Sequence, residues 1–280
     1  SSVPLFLFIV LYLIWPEQAF GAALTSWVFG LGVVVVAGWC WMKRFHAFRL
    51  QWLPGEQKEL LAYGARSHLE VLFQQILLRA DYLFIGVMLP AEALGHYAMA
   101  SAASELLLVI PEAVTTPLMK RLLQQDRETG VMTPLALRIT ATAMLMACLA
   151  MALIGEWLIV LLFGAEYAPA YPALVMLLPG LLALCYASIL RLDLLGKGKP
   201  GTLSIMVGLG AAINLILNLI LIPSLGIVGA AIASSTAYVA VTVILLVMYC
   251  RLSKVAIGQT LLMLPSDFKR IGLLLRSGRI

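Results

Sequence analysis

Charge is what this chain has least of. Only 12% of its 280 residues are Asp, Glu, Lys or Arg, against 62% apolar, and its mean hydropathy is +0.99. So little polar surface excludes a soluble globular domain and leaves the polytopic membrane proteins. In a soluble chain the net charge of +5 would suggest nucleic acid. Here the basic residues collect at the ends of apolar runs, which the positive-inside rule explains, so no nucleic-acid partner is expected. Cysteine is scarce as well. Cys40, Cys148, Cys185 and Cys250 lie in or at the ends of apolar runs without paired spacing, which favours free thiols over disulfides or a metal site. There is no Walker loop and no zinc-ligand spacing, and His46, His68 and His96 are scattered. These absences exclude an ATP-driven pump within this chain and leave no metal or other cofactor to expect. A basic signal-peptide head and a cleavage site are also missing, and the first residue is Ser1. The chain reads as a fragment of a longer protein, without its N-terminal portion.

What is present is a series of apolar runs. A crossing of about 30 Å needs roughly 20 apolar residues. The runs that qualify, or nearly do, are 3–15, 19–42, 65–89, 93–118, 135–163, 170–192, 201–222 and 225–250, so about eight transmembrane helices are expected. Eighteen of the 19 Lys and Arg residues fall in four polar segments: Lys43 to Arg66, Lys120 to Arg138, Arg191 to Lys199, and the tail from Arg251. The turns at Leu89–Gly95, Gly164–Ala170 and Pro223–Gly226 hold none. That alternation demands an even number of crossings between basic segments and puts all four, with the C-terminus, on the cytoplasmic face. The intervening turns are too short for an outside catalytic domain. His46–Tyr63 and the tail mix apolar and charged residues and are expected to lie on the cytoplasmic membrane surface, a partly disordered tail being the alternative for the last fifteen residues.

The exceptional basic residue is Arg79. Measured back from Pro90 at the helical rise, it sits about 17 Å deep, near the bilayer centre. Asp81 is close by, and Glu105 reaches a similar level on the next span. Charges at that depth must be paired or face water, so the trio suggests either a structural ion pair or the wall of a polar pathway. At 100° per residue, Arg66, Glu70, Gln74 and Asp81 form one polar stripe on the helix, within an arc of about 80°. His68, Gln75 and Arg79 form a second stripe on roughly the opposite side. The angles weaken a direct Arg79–Asp81 pair and leave Glu105, or a carboxylate on helices that would precede this chain, as the better partner. Elsewhere, Pro111 and Pro117 bracket a kink or hinge. Asn214 and Asn218 share a face and read as helix-packing contacts, as do Gly229, Ala233 and Ala237. Glu156, Glu166, Arg191 and Asp193 read as interfacial.

Four stretches carry a resemblance. They are RADYLFIGVMLPAEALGHYA at 79–98, LFGAEYAPA at 162–170, LLGKGKP at 194–200 and NLILNLILIPSLGIVGAAIASST at 214–236. Together, and in this order, they resemble the multidrug/oligosaccharidyl-lipid/polysaccharide exporter superfamily, specifically its bacterial polysaccharide (O-antigen) flippases. The resemblance implies two six-helix lobes facing a central cavity. Residues 1–42 would then be the last two helices of a truncated N-terminal lobe, 43–63 the interlobe linker, 64–250 a six-helix C-terminal lobe and 251–280 a basic cytoplasmic tail. It also implies a non-enzymatic flippase of the bacterial inner membrane. Such a protein moves undecaprenyl-diphosphate-linked oligosaccharide for lipopolysaccharide or other polysaccharide synthesis by alternating access, with coupling to H⁺ or Na⁺ possible. Lipid-linked oligosaccharide, membrane lipids and polysaccharide polymerase machinery are the partners so implied. The expected substrate-binding residues are Arg79 for the diphosphate, Asp81 and Glu105 to hold Arg79 or exchange a cation, Glu70 and Gln74 on the cavity stripe, and Arg66 at the mouth. A multidrug/cation antiporter, a peptidoglycan-precursor flippase and a non-transporting scaffold are the alternatives. A polytopic glycosyltransferase would need large outer loops, which are lacking.

Overall fold

In the computed structural model, residues 19–45, 54–115, 129–196 and 200–253 are described. The first candidate span, Pro117 and the tail beyond 253 lie outside them. All regular structure among the described residues is helical: α1 (Ala19–Phe45), α2 (Pro54–Met88), α3 (Ala91–Glu105), α4 (Thr129–Phe163), α5 (Ala170–Gly196) and α6 (Pro200–Ser253). This is an all-α polytopic membrane protein. Five of these helices are long and apolar enough to cross a bilayer, α3 being extended to Thr115. Contacts divide the chain into two compact units, Ser1–Lys58 and Glu59–Ile280.

In the first unit, α1 closes on Lys43 and Arg44. Cations there complement the carbonyl end of the helix dipole and mark the edge of the apolar run. Lys43 Nζ lies 5.2 Å from the centre of the Trp39 ring.

The sequence suggested a surface segment over His46–Tyr63, separate from the span that follows. The structure instead starts α2 at Pro54 and carries it without a break to Met88. Proline at the first helical position costs no hydrogen bond, and Glu56, Lys58 and Glu59 are good helix formers. The membrane helix therefore projects beyond its apolar stretch.

α6 is about twice as long as one crossing requires. It is two helices joined at Gly226, where φ is 58° and ψ is −138°, a conformation reserved in practice for glycine. The two limbs run antiparallel. Asn214 of the first meets Ser234 of the second, and a Cβ on Gly210 would lie 2.0 Å from Val241 Cγ2. Ala233 and Ala237 are fully buried at this contact, so the small-residue face does pack closely. α1 to α5 and the two limbs of α6 thus coincide with the second to eighth candidate spans.

α5 is the central helix of the second unit. Within its most apolar stretch 67% is buried, against 17–33% for the other spans. It packs on α3, α4 and α6. A Cβ on Gly180 would come within 2.6 Å of the Ser235 Cα, so only glycine permits this approach of α5 to α6. Ser235 Oγ donates to the Met176 carbonyl, in the turn that Pro179 disturbs by lacking an N–H. Thr242 Oγ1 caps the Ala183 carbonyl nearby at 2.8 Å.

Candidate functional site

The two polar faces of α2 have opposite fates. The face carrying Glu70, Gln74 and Asp81 turns inward, and Glu70 and Asp81 are 3% and 2% exposed. The face carrying His68, Gln75 and Arg79 stays open. Arg66 lies on the same helix, but its side chain falls outside the described residues.

On the open face Arg79 grips Glu105, the last residue of α3. Its Nη1 and Nη2 donate to Oε1 and Oε2 at 2.9 and 3.1 Å. Ser101 Oγ, one turn earlier on α3, donates to Glu105 Oε1 at 3.0 Å. The guanidinium carbon also lies 5.6 Å from the centre of the Tyr82 ring, within cation–π range. This fork-to-fork pairing fixes the guanidinium plane, yet the Arg79 side chain keeps 52% of its surface. α3 changes character at this point. Leu106–Leu108 form a 3-10 turn, next to the carbonyl of Leu107 that the Pro111 ring would crowd in a regular helix.

Asp81 faces the other way. Its Oδ1 accepts the Tyr82 backbone N–H at 3.0 Å. Its Oδ2 accepts the Tyr97 hydroxyl of α3 and the Ser234 hydroxyl of α6 at 3.2 Å. The chain of bonds continues through the first limb of α6. Asn214 Nδ2 donates to Ser234 Oγ at 3.1 Å, and Asn218 Nδ2 donates to Asn214 Oδ1 at 2.9 Å. Asn214, Asn218 and Ser234 have no exposed surface. Asn218 Oδ1 ends the chain as a buried acceptor without a hydrogen-bond partner. Asp81, expected to hold Arg79, is thus held by hydroxyls on neighbouring helices, and no ion pair to it forms among the described residues. Asn214 and Asn218, read from sequence as packing groups, complete a polar centre around it. Every group in that centre able to approach a cation does so through oxygen, which suits a small hard cation or a proton rather than a transition metal.

A second cluster lies about 14 Å along α2 from Arg79, toward the basic end. Glu70 forms an ion pair with Arg191 of α5, and Arg191 Nη1 donates to Gln74 Oε1. Arg138 of α4 and Asp193 of α5 are buried at the same end of the bundle. Sequence position alone suggested that Arg191 and Asp193 were interfacial. The signal that could have found the Arg191 contact is the inward stripe of Glu70 and Gln74, which needs a donor from another helix. Pro111 is buried. Cys148 and Cys185 are buried free thiols, and Cys40 and Cys250 are also free.

Comparison with known proteins gives three findings. Residues 4–172 match the model of a family described as polysaccharide biosynthesis protein. An uncharacterized membrane protein of Methanocaldococcus jannaschii is 37% identical over 100 residues, which are 36% of this chain and 19% of that protein. The outward-facing structure of a multidrug resistance MATE family transporter of the MOP superfamily superposes with a TM-score of 0.56 at 15% identity, over 72% of this chain and 46% of that one. The chain therefore spans less than half of that structure and about a fifth of that relative. The likeness to the transporter is one of fold, and the match to the family model covers more than half of the chain. On a fold shared with that MATE family transporter, the chain belongs to the polysaccharide biosynthesis protein family.

Proposed function

We propose that this chain is part of a flippase that carries a lipid-linked oligosaccharide, attached through a diphosphate, across the bacterial inner membrane by alternating access. One observation carries the reading: a half-exposed guanidinium near mid-span, held through both terminal nitrogens by Glu105. Guanidinium pairs with phosphate oxygens in the same bidentate geometry as with carboxylate. A diphosphate can therefore replace Glu105 on Arg79, and Glu105 can reclaim Arg79 when the phosphates leave. That exchange keeps Arg79 paired at every stage, which a charge at this depth requires. No covalent step is needed, so the reading is of a transporter and not of an enzyme.

The Asp81 centre supports cation coupling. Burial among neutral donors favours a proton on the carboxyl or a cation beside it, against which its hydrogen bonds stabilise the bare carboxylate. The Ser234 and Tyr97 hydroxyls supply oxygen beside Asp81, and either cation would change how α2 is tied to α6. In this reading the basic segments and the C-terminus are cytoplasmic, and 64–250 forms one lobe of a two-lobe transporter.

The test uses the full-length protein. Arg79→Ala should stop export and leave lipid-linked repeat units on the cytoplasmic leaflet. Normal export by that variant would overturn the role given to Arg79.

A further inference from the structure

Arg79, Asp81 and Glu105 set two carboxylates against one guanidinium. With every group ionised the trio carries one negative charge in excess. Burial divides that excess unequally. The Glu105 side chain keeps 37% of its surface and can turn to water, whereas Asp81 is 2% exposed and cannot. The Tyr82 backbone N–H and the Tyr97 and Ser234 hydroxyls hold the Asp81 oxygens. These neutral donors stabilise its charge without cancelling it.

One path from Arg79 to Asp81 runs through aromatic side chains. The centre of the Tyr82 ring lies 5.6 Å from the Arg79 guanidinium carbon. It lies 5.4 Å from the centre of the Tyr97 ring, which it meets edge to face. Tyr97 closes the path by donating its hydroxyl to Asp81. Tyr238 of α6 also interacts with Asp81, and Arg79 is a cation whose field reaches it. Tyr97 and Tyr238 are buried. Charges separated by packed side chains are screened less than charges separated by water, so the charge state of Asp81 is felt at Arg79.

An anion that takes Arg79 from Glu105 brings its own charge and frees a carboxylate. Such an excess inside a membrane is unfavourable unless a cation arrives with it. Glu105 can shed its share to water. The share fixed at Asp81 is removed only by a cation at Asp81.

We propose that the two centres load together: a proton or Na⁺ at Asp81 raises the affinity of Arg79 for a phosphate-bearing anion. By linkage the anion raises the affinity of Asp81 for the cation by the same factor. The proposal rests on the anion site of the flippase reading and deepens it by giving the sign of the coupling. Anion and cation occupy one conformation and do not displace each other.

The test is binding of inorganic pyrophosphate to the full-length protein in nanodiscs, followed by calorimetry. Ionic strength is held constant, with Na⁺ or N-methylglucamine as the cation. Asp81→Asn fixes the neutral state at nearly constant size. At alkaline pH it should bind pyrophosphate roughly tenfold more tightly than the sodium-free wild type, about 1.4 kcal/mol. Adding Na⁺ or lowering the pH should bring the wild type up to the variant, and which of the two does so identifies the cation. The ratio of wild type to variant at each pH cancels the titration of pyrophosphate itself. Tyr97→Phe takes a hydroxyl from the bare carboxylate, so it should also tighten binding, by a smaller factor. Equal affinity in wild type, Asp81→Asn and Tyr97→Phe under all conditions would overturn the proposal. So would weaker binding on adding Na⁺. In either case, loss of pyrophosphate binding in Arg79→Ala would still support the flippase reading. Binding that survives Arg79→Ala would overturn both. Linked binding in a protein that exports no lipid-linked oligosaccharide would keep the proposal and remove that reading.

Discussion

Arg79 and Asp81 stand two residues apart in α2 and serve opposite sides of it: Arg79 is bound in bidentate fashion by Glu105 on the open face, while Asp81 is buried against Ser234 of α6. Successive helical residues are about 100° apart, so two positions separate the side chains by about 200°. One short stretch of α2 thus serves both an exposed anion-binding group and a buried carboxylate. Movement of the helix on cation binding at Asp81 would be transmitted directly to Arg79.

If Asp81 is the coupling carboxylate, removing its partners should uncouple transport before it unfolds the lobe. Ser234→Ala leaves Asp81 one donor short and frees Asn214 Nδ2, costing about 1–3 kcal/mol. Export in proteoliposomes should lose its dependence on a pH or Na⁺ gradient. A variant with unaltered gradient dependence would count against coupling at this centre.

Glu105→Gln keeps the size of the side chain but removes the charge that competes with phosphate. Substrate should then bind more tightly and leave more slowly, so KM and turnover for lipid-linked oligosaccharide should both fall. Arg79→Lys should retain part of the activity, because an ammonium supplies charge without the planar fork. Full activity in Arg79→Lys would mean that only a point charge is needed.

The Glu70–Arg191 pair should matter for stability more than for transport. Arg191→Ala leaves a buried carboxylate without its cation and should cost about 3–5 kcal/mol. The double variant Glu70→Leu with Arg191→Met should recover most of that loss. Thermal unfolding in detergent reads both, and equal losses in the single and double variants would show that the pair is not the cause.

Two glycines should respond oppositely to alanine. At Gly180 the new methyl would meet the Ser235 backbone at 2.6 Å, forcing α5 from α6 at a cost of about 1–3 kcal/mol. At Gly95 nothing lies within 4 Å, so Gly95→Ala should be neutral or stabilise α3 by up to about 1 kcal/mol. Melting temperatures of the two variants check the contrast.

Much of the membrane architecture was legible in the sequence. The alternation of turns with and without Lys and Arg marked the helix ends, and Pro223 with Gly226 marked the reversal inside α6. The two polar stripes of α2 were legible too, because periodicity belongs to a single helix. The fate of each stripe was not. Nothing in the spacing of Asn214 and Asn218 distinguishes a packing contact from a buried hydrogen-bond chain that reaches Asp81 through Ser234, since a short amide four residues from another serves either purpose. Arg191 looked interfacial by depth, yet α5 is central and carries it to Glu70.

By itself, then, the sequence determined that this is a multi-spanning membrane protein, where its helices turn, and that Arg79 and Asp81 must look in different directions. Those are consequences of hydrocarbon thickness and helical pitch, which act on local stretches of chain. Only the tertiary structure decided that Glu105 takes Arg79, that Ser234 and Tyr97 take Asp81, and that Arg191 takes Glu70. Those partners are remote in sequence, and a buried polar group is matched by whichever helix the packing brings within about 3 Å of it.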